Sequence, residues 1–381
     1  MRHNRMLCDL HLHSKYAGAT SERMDARTIA HWAKLKGLDL VGTGDFTHPR
    51  WREELRRTWQ PNLIPTSEVS LVFKKGEKVK KVHMCMIAPD LDTADEIARA
   101  LQPYGDLAAD GRPTLMMTPE EFLKTVKQAA DVIVFAAHIW TPWYSIFGSK
   151  FGCDSLQECF GDAVNLLDGI ETGLSSDPPM NWMVSSLDRF TLVSFSDAHS
   201  PENIGREATA FDVEPTYDGL KQAFKGKARF TIEFFPEEGK YHWDGHRKCG
   251  VRVSPEEYDR LGGICPKCGR RMTKGVLHRV YDLRDRNQPK LFHPFYKLVP
   301  LREVIAQMLQ VGKYSKRVYE LYTSLVQKKP ELELLLHPDE RVLGKTLADA
   351  LRRVLEGKIH VSPGYDGVYG EIKVFPTLAD Y

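Results

Sequence analysis

Over residues 1–235 the chain repeats one pattern: a short apolar run of strand type, closing in a histidine or a carboxylate, then a helical stretch. Strands are predicted at Met6–His11, Leu38–Gly42, Val79–Ala88, Val132–Ala137, Gly169–Glu171 and Thr191–Phe195, with helices such as Asp25–Lys36 and Pro119–Ala130 between them. Thr118, Pro119 and Glu121 give the second helix an N-cap, a first-turn proline and a capping box. This alternation predicts a mostly parallel sheet with crossover helices, either barrel or open.

The strand ends carry the chemistry. In Cys8-Asp9-Leu10-His11-Leu12-His13-Ser14 two imidazoles stand at alternate positions, on one side of a strand, and form half of a metal site. Later ends add Asp45 and His48, then Glu68 after Leu63–Ser67, His83 within an apolar run, His138, Glu171, and Asp197-Ala198-His199. Any one of these alone reads as a core histidine or an ion-pair partner. In series they read as a site, because barrel enzymes keep their functional groups at the C-terminal ends of parallel strands. Imidazole mixed with carboxylate fits zinc or manganese, whereas an all-oxygen shell favours magnesium.

A second module follows Pro236-Glu237-Glu238-Gly239. His246-x2-Cys249 and Cys265-x2-Cys268 supply four ligands in the spacing of a zinc ribbon or knuckle, with His242 as an alternative fourth. Four protein ligands leave no open position, so one structural zinc is expected. Arg247, Lys248, Arg270, Arg271 and Lys274 crowd this site, as they would beside a nucleic-acid backbone. Between Lys240 and Lys329 there are 20 Lys/Arg against 8 Asp/Glu, a local balance of +12, while the whole chain carries only +2. An acidic region suited to cations is thus joined to a basic region suited to phosphates. From Leu298 the pattern is helical, at Leu301–Gln310, Lys316–Lys328 and Leu347–Leu355. The chain closes with two short strands around Pro363–Gly370, where Tyr365 and Tyr369 could stack on bases.

The 381 residues suit two or three domains, predicted at 1–236, 240–282 and 291–381. No apolar run is long enough for a membrane span, and Met1-Arg2-His3-Asn4-Arg5 offers no signal-peptide core. Seven cysteines, an odd number with three in metal-like spacing, suit a reducing interior, so a cytoplasmic location is expected.

The ordered set of strand-end residues resembles the PHP (polymerase and histidinol phosphatase) domain. That resemblance implies a distorted (β/α)7 barrel holding two or three catalytic divalent metals (zinc, manganese or magnesium). It implies that His11, His13, Glu68 and Asp197 surround one metal, and that Glu68 bridges to a second completed by His83 and His138. His199 would serve a third with Asp45 or His48, although Asp45-Phe46-Thr47-His48 departs from the family's adjacent pair. Asp197, Glu68 and His199 would be catalytic. The barrel, the ribbon and a helical C-terminal domain ending in a hairpin-like segment together resemble the endonuclease Q family. This implies a metal-dependent DNA repair endonuclease that cuts 5′ of uracil, hypoxanthine, xanthine or abasic sites by metal-activated water. Its partner would be double- or single-stranded DNA with a damaged base, with replication or repair proteins as further candidates. A stacked base cannot be inspected, so flipping is expected, with Gly173, Leu174, Ser175, Trp140 and Trp143 as the receiving pocket. The other reading is a small-molecule phosphatase of the histidinol phosphatase type, which would need neither ribbon nor basic segment.

Overall fold

The computed structural model describes residues 5–375; residues 1–4 and 376–381, the two ends of the sequence read above, lie outside the described residues. In chain order the strands are β1 (Met6–Asp9), β2 (Leu40–Gly42), β3 (Leu63–Ile64), β4 (Thr66–Lys75), β5 (Lys78–Ile87), β6 (Thr114–Leu115), β7 (Ile133–Ala136) and β8 (Gly169–Glu171). They continue as β9 (Thr191–Val193), β10 (Ala208–Phe211), β11 (Phe230–Glu233), β12 (Asp244–His246), β13 (Val251–Val253), β14 (Phe295–Lys297), β15 (His360–Ser362) and β16 (Glu371–Lys373).

These strands build two six-stranded sheets of mixed direction, in the orders β14-β11-β10-β1-β2-β3 and β6-β4-β5-β7-β8-β9. The expected closed barrel is not formed by backbone ladders, and local chemistry explains both seams. At one, Pro65 separates β3 from β4, so the chain steps from one sheet to the other. Side chains do the stitching there: Gly44 N donates to Thr66 Oγ1 at 2.9 Å and Thr66 N donates to Thr43 Oγ1 at 3.2 Å. At the other, Ser194 and Thr209 replace ladder bonds. Ser194 N donates to Thr209 Oγ1 and Thr209 Oγ1 donates back to Ser194 O, both at 2.9 Å.

Residues of both sheets meet in an inner core that includes Met6, Cys8, Leu40, Ile64, Ile133, Phe135, Val193 and Phe195. The outer faces are covered by helices. Ala26–Lys36 is capped by Asp25, which accepts from Thr28 N, and closes at left-handed Gly37. Pro119–Ala129 has the predicted capping box. β4 alternates cleanly: Val69, Leu71 and Phe73 join the outer core, which leaves Glu68 and Ser70 on the opposite face.

The C-terminal helices Leu301–Leu309, Lys316–Val326 and Lys345–Leu355 bury Leu301, Val304, Tyr322, Leu325, Leu347 and Leu351 in the same core as Val41, Trp51 and Ile232. A buried ion pair, Lys36 Nζ to Glu331 Oε2 at 2.6 Å, joins the first helix to this layer. β15 and β16 pair antiparallel, as expected of a hairpin-like end. Among the described residues, no helix is long and apolar enough to cross a membrane.

Candidate metal centre and nucleic-acid interface

β1 delivers His11 and His13 just past its end, where Leu12 forms a parallel bridge with Ala198 and so brings Asp197 alongside. β4 presents Glu68 from across the interior. One donor atom each from His11, His13, Glu68 and Asp197 lies within 4.8 Å of the others, and the same holds for Glu68, His83 and His138. Glu68 belongs to both groups. Its Oε2 is 3.1 Å from His13 Nε2, while its Oε1 is 2.7 Å from His83 Nδ1 and 3.1 Å from His138 Nε2. Asp197 Oδ1 is 3.2 Å from His13 Nε2.

The far nitrogens of these rings are tied down, which fixes the lone pairs inward. His11 Nδ1 faces both oxygens of Glu171 at 3.0 Å, and His13 Nδ1 faces Asp45 Oδ1 at 2.9 Å. His83 Nε2 meets Ser70 Oγ at 2.8 Å and His138 Nδ1 meets Ser145 Oγ at 3.2 Å. Glu171 also accepts from His138 N. His11 Nε2, His13 Nε2 and Asp197 Oδ1 are buried and lack any hydrogen-bond partner. Orphaned lone pairs converging from imidazole and carboxylate are what a divalent cation would satisfy. Three residues here, Asp45, His138 and Asp197, hold positive φ (54°, 29° and 47°), a strained backbone of the kind kept at functional sites.

The electrostatics agree. Burial would lower His11 and His13, yet Cys85 with Glu171 and Glu68 raises His11, and Asp45, Asp197 and Glu68 raise His13, each well above the usual imidazole range. Burial would raise Glu68, yet His83 and His11 hold it well below the carboxylate range. Burial brings His83 down to about 4 against the pull of Glu68. The centre therefore demands positive charge, while in its second group His138 is raised by Glu68 against burial and His83 alone is held neutral.

Among the described residues, the two donor groups of this centre do not take in Asp45, His48 or His199. Asp45 spends both oxygens, one on His13 and the other on Ser14 N and Oγ, each at 2.6 Å, so it orients a ligand. His48 stacks on Tyr16 at 4.6 Å. His199 remains near the centre, its ring 4.6 Å from His13 and its Nδ1 2.9 Å from the Asp197 carbonyl, which leaves Nε2 as the lone-pair nitrogen.

His246, Cys249, Cys265 and Cys268 come together in a second place, again within 4.8 Å. β12 and β13 hold the first pair, and a bridge between Ile264 and Arg271 holds the second. Each pair ends in a left-handed glycine, Gly250 (φ 63°) and Gly269 (φ 70°), as a tight ligand turn requires. Burial opposes ionisation of Cys265, but the amides of Lys267 and Cys268 bring its thiol down to about 6. His242 is not among these ligands. It is buried elsewhere, with Nδ1 unpartnered.

Arg247, Lys248, Arg270 and Arg271 are exposed, and among the described residues no carboxylate pairs with them. Lys274 differs, being paired to Asp282 at 3.0 Å. Tyr369 is 70% exposed, whereas Tyr365 packs so closely over Gly245 that a Cβ there would lie 2.4 Å from its ring. The loops after His138 and Glu171 do converge on a cavity of about 310 Å³, through Thr141, Pro142, Trp143 and Ser175. Its other walls, Pro236, Lys240, Tyr241, His242, Val276 and Tyr369, were not foreseen. Trp140 is not a wall. It is fully buried and donates Nε1 to Asn181 Oδ1, so its ring is spent on the core. Gly173 instead lets the chain pass His138, where a Cβ would sit 2.3 Å from the His138 Cβ.

No protein-family model matches the chain. An uncharacterised protein of Methanocaldococcus jannaschii is 34% identical over 257 residues, and the chain spans only 32% of that relative's length. The uncharacterised protein YqxK of Bacillus subtilis is 25% identical over 403 residues, covering 97% of this chain and 99% of its own. Among solved structures, the lesion-specific endonuclease PfuEndoQ from Pyrococcus furiosus is 32% identical, with a TM-score of 0.86 over 99% of this chain and 98% of that one. An endonuclease Q in complex with a 27-mer duplex substrate, an abasic lesion at its active site, is 31% identical, with a TM-score of 0.84 over 99% of both chains. The small-molecule phosphatase reading is not favoured by a likeness that runs through ribbon and C-terminal helices alike. With such identity sustained end to end, the chain belongs to the endonuclease Q family.

Proposed function

We propose that this chain is a metal-dependent DNA repair endonuclease that hydrolyses the phosphodiester 5′ of a deaminated or abasic nucleotide. The observation that carries the reading is Glu68, a carboxylate shared by two donor groups, the first of them with orphaned lone pairs, in a chain of this family. Two divalent metals fit there, held by His11, His13, Glu68 and Asp197 and by Glu68, His83 and His138. Such metals supply charge stabilisation and a water of lowered pKa. The protein's part is to fix the ligands through Glu171, Asp45, Ser70 and Ser145, and to keep His199 Nε2 available at the mouth.

We assign the metal chemistry to residues 1–236 and the grip on DNA to residues 240–282, with one structural zinc at His246, Cys249, Cys265 and Cys268, and to residues 291–381. The free cysteines of that site suit a reducing compartment, in keeping with a cytoplasmic enzyme. The cavity beside the metal loops is where we seat a flipped base, between Trp143 and Tyr241 with Ser175 and His242 as polar contacts. Duplexes bearing one uracil, hypoxanthine or abasic site, incubated with enzyme and manganese, magnesium or zinc, test the whole reading: a single nick 5′ of the lesion is expected. Cleavage of undamaged duplex at the same rate would end it.

A further inference from the structure

The metal centre is not uniformly buried, and the exceptions lie together. Side chains of His11, His13, Glu68, His83 and His138 are 0–9% exposed, but Asp197 is 25% exposed and His199 31%. A third open side chain faces them. Arg112, absent from the strand-end series, is 30% exposed, with Nη1 3.3 Å from Glu68 Oε2. Its charge is felt by Asp197, His83 and His199 alike.

The loop carrying Arg112 is built to hold it. Asp110 accepts from Gly18 N and from Arg112 N, and Gly111 N donates to Tyr16 O. Gly111 has no room for a side chain, since a Cβ would lie 2.5 Å from Asp45 Oδ2 and 2.8 Å from Ala17 N. Next along, Pro113 O accepts from Ser70 N, two residues beyond Glu68 on β4. Arg112 is therefore registered both against the residue that orients His13 and against the strand that carries the shared carboxylate.

Its one side-chain hydrogen bond ends on Glu68 Oε2, the same oxygen that faces His13 Nε2 at 3.1 Å. That oxygen is a metal donor in the reading above, on which this inference rests. Once it is committed to a cation, a guanidinium with five donors stands at the opening with its fork unspent. Arg206 also reaches this opening, but it donates to the Ser196 and Asp197 carbonyls, whereas Arg112 is aimed at the shared carboxylate. We propose that Arg112 is a catalytic residue that binds a non-bridging oxygen of the scissile phosphate, steadying the charge that grows there during hydrolysis.

A purely structural Arg112 would only hold Glu68 in place, and the test separates the two. Wild type, Arg112→Ala and Arg112→Lys are compared for bound metal, for nicking of an abasic duplex, and for affinity toward two duplexes in calcium. One duplex carries a normal scissile phosphate and the other an uncharged methylphosphonate. Wild type should bind the phosphate duplex about tenfold more tightly, in line with one charge-assisted contact. Arg112→Ala should keep its metal and only the part of the preference that the metal supplies, several-fold less than wild type, and nick about a hundredfold more slowly. Arg112→Lys should recover part of the preference, because it restores charge without the fork. Loss of metal from Arg112→Ala with rescue by excess metal, or an unchanged phosphate preference, overturns the assignment. A wild type that nicks no lesion duplex at all fails earlier, and sinks the parent reading rather than Arg112 alone.

Discussion

Removing the carboxylate of Glu68 takes one oxygen from each donor group at once, whereas removing Asp197 strips only the first. Glu68→Gln should therefore lose both metals and Asp197→Asn one, each with nicking reduced to background and duplex affinity within a few-fold of wild type. Metal analysis beside a binding titration checks this. A different carboxyl pair lies behind the centre: Glu207 and Glu233 flank the β10–β11 ladder, fully buried, each with one unpartnered oxygen. Burial pushes Glu233 up to about 8, with Asp177 adding to it. A raised folded pKa means the native state holds a proton that the unfolded chain gives up near 4.5, so stability falls as pH climbs from about 5 to 8. Glu233→Gln should flatten that decline in urea unfolding measured at both pH values. At this scale the sequence was informative wherever a ligand closed a strand, as His11, His13, His138 and Asp197 do. It was silent on Arg112 and offered His242 only as an alternative zinc ligand, because both sit in loops and enter their sites only through tertiary contact.

Elements were legible where propensity and pattern agree. Pro119–Ala129 matches its prediction to a residue because cap, proline and capping box all point one way. β4 was half missed, since Glu68, Ser70, Lys74 and Lys75 interrupt its apolar run, yet the inward polar face is the reason the strand exists. β10 and β11, of four residues each, were not foreseen. The ligand turns of the second module were readable from spacing alone, and they predict their own fragility. Cys265→Ser should cost one tightly held zinc and loosen residues 240–282, because a module with a core as small as Val251, Val253, Tyr258, Cys265 and Met272 draws on the metal for folding. Zinc analysis and hydrogen exchange across that segment, with the β4–β5 ladder as the unaffected control, measure it.

For the molecule as a whole, the expected closed barrel gives way to two sheets joined by threonine and serine side chains and by isolated backbone contacts such as the Leu12–Ala198 bridge, an arrangement that hydrophobic periodicity cannot encode. The split between an acidic and a basic region is a whole-molecule property too, and it governs how affinity responds to salt. Arg270→Ala with Arg271→Ala should shallow the plot of log affinity against log salt by about one unit per lost phosphate contact, without altering nicking of bound duplex. Fluorescence titrations between low and physiological salt read the slope directly.

The loop 363–370 is fastened to the ligand turn far upstream: Asp366 accepts from Arg247 N at 2.7 Å and from Thr273 Oγ1 at 2.7 Å, and Gly364 O accepts from Trp243 N. Protein synthesis runs in one direction, so this fastening is made only after every donor of the metal centre has been translated. A ribosome that has already released His11, His13, Glu68, His83, His138 and Asp197 has yet to deliver the clasp that seats the ligand turn and supplies Tyr369 to the cavity. Assembly order thus has a consequence under the function proposed above: a chain stalled before residue 363 would hold every donor of the metal centre without the clasp.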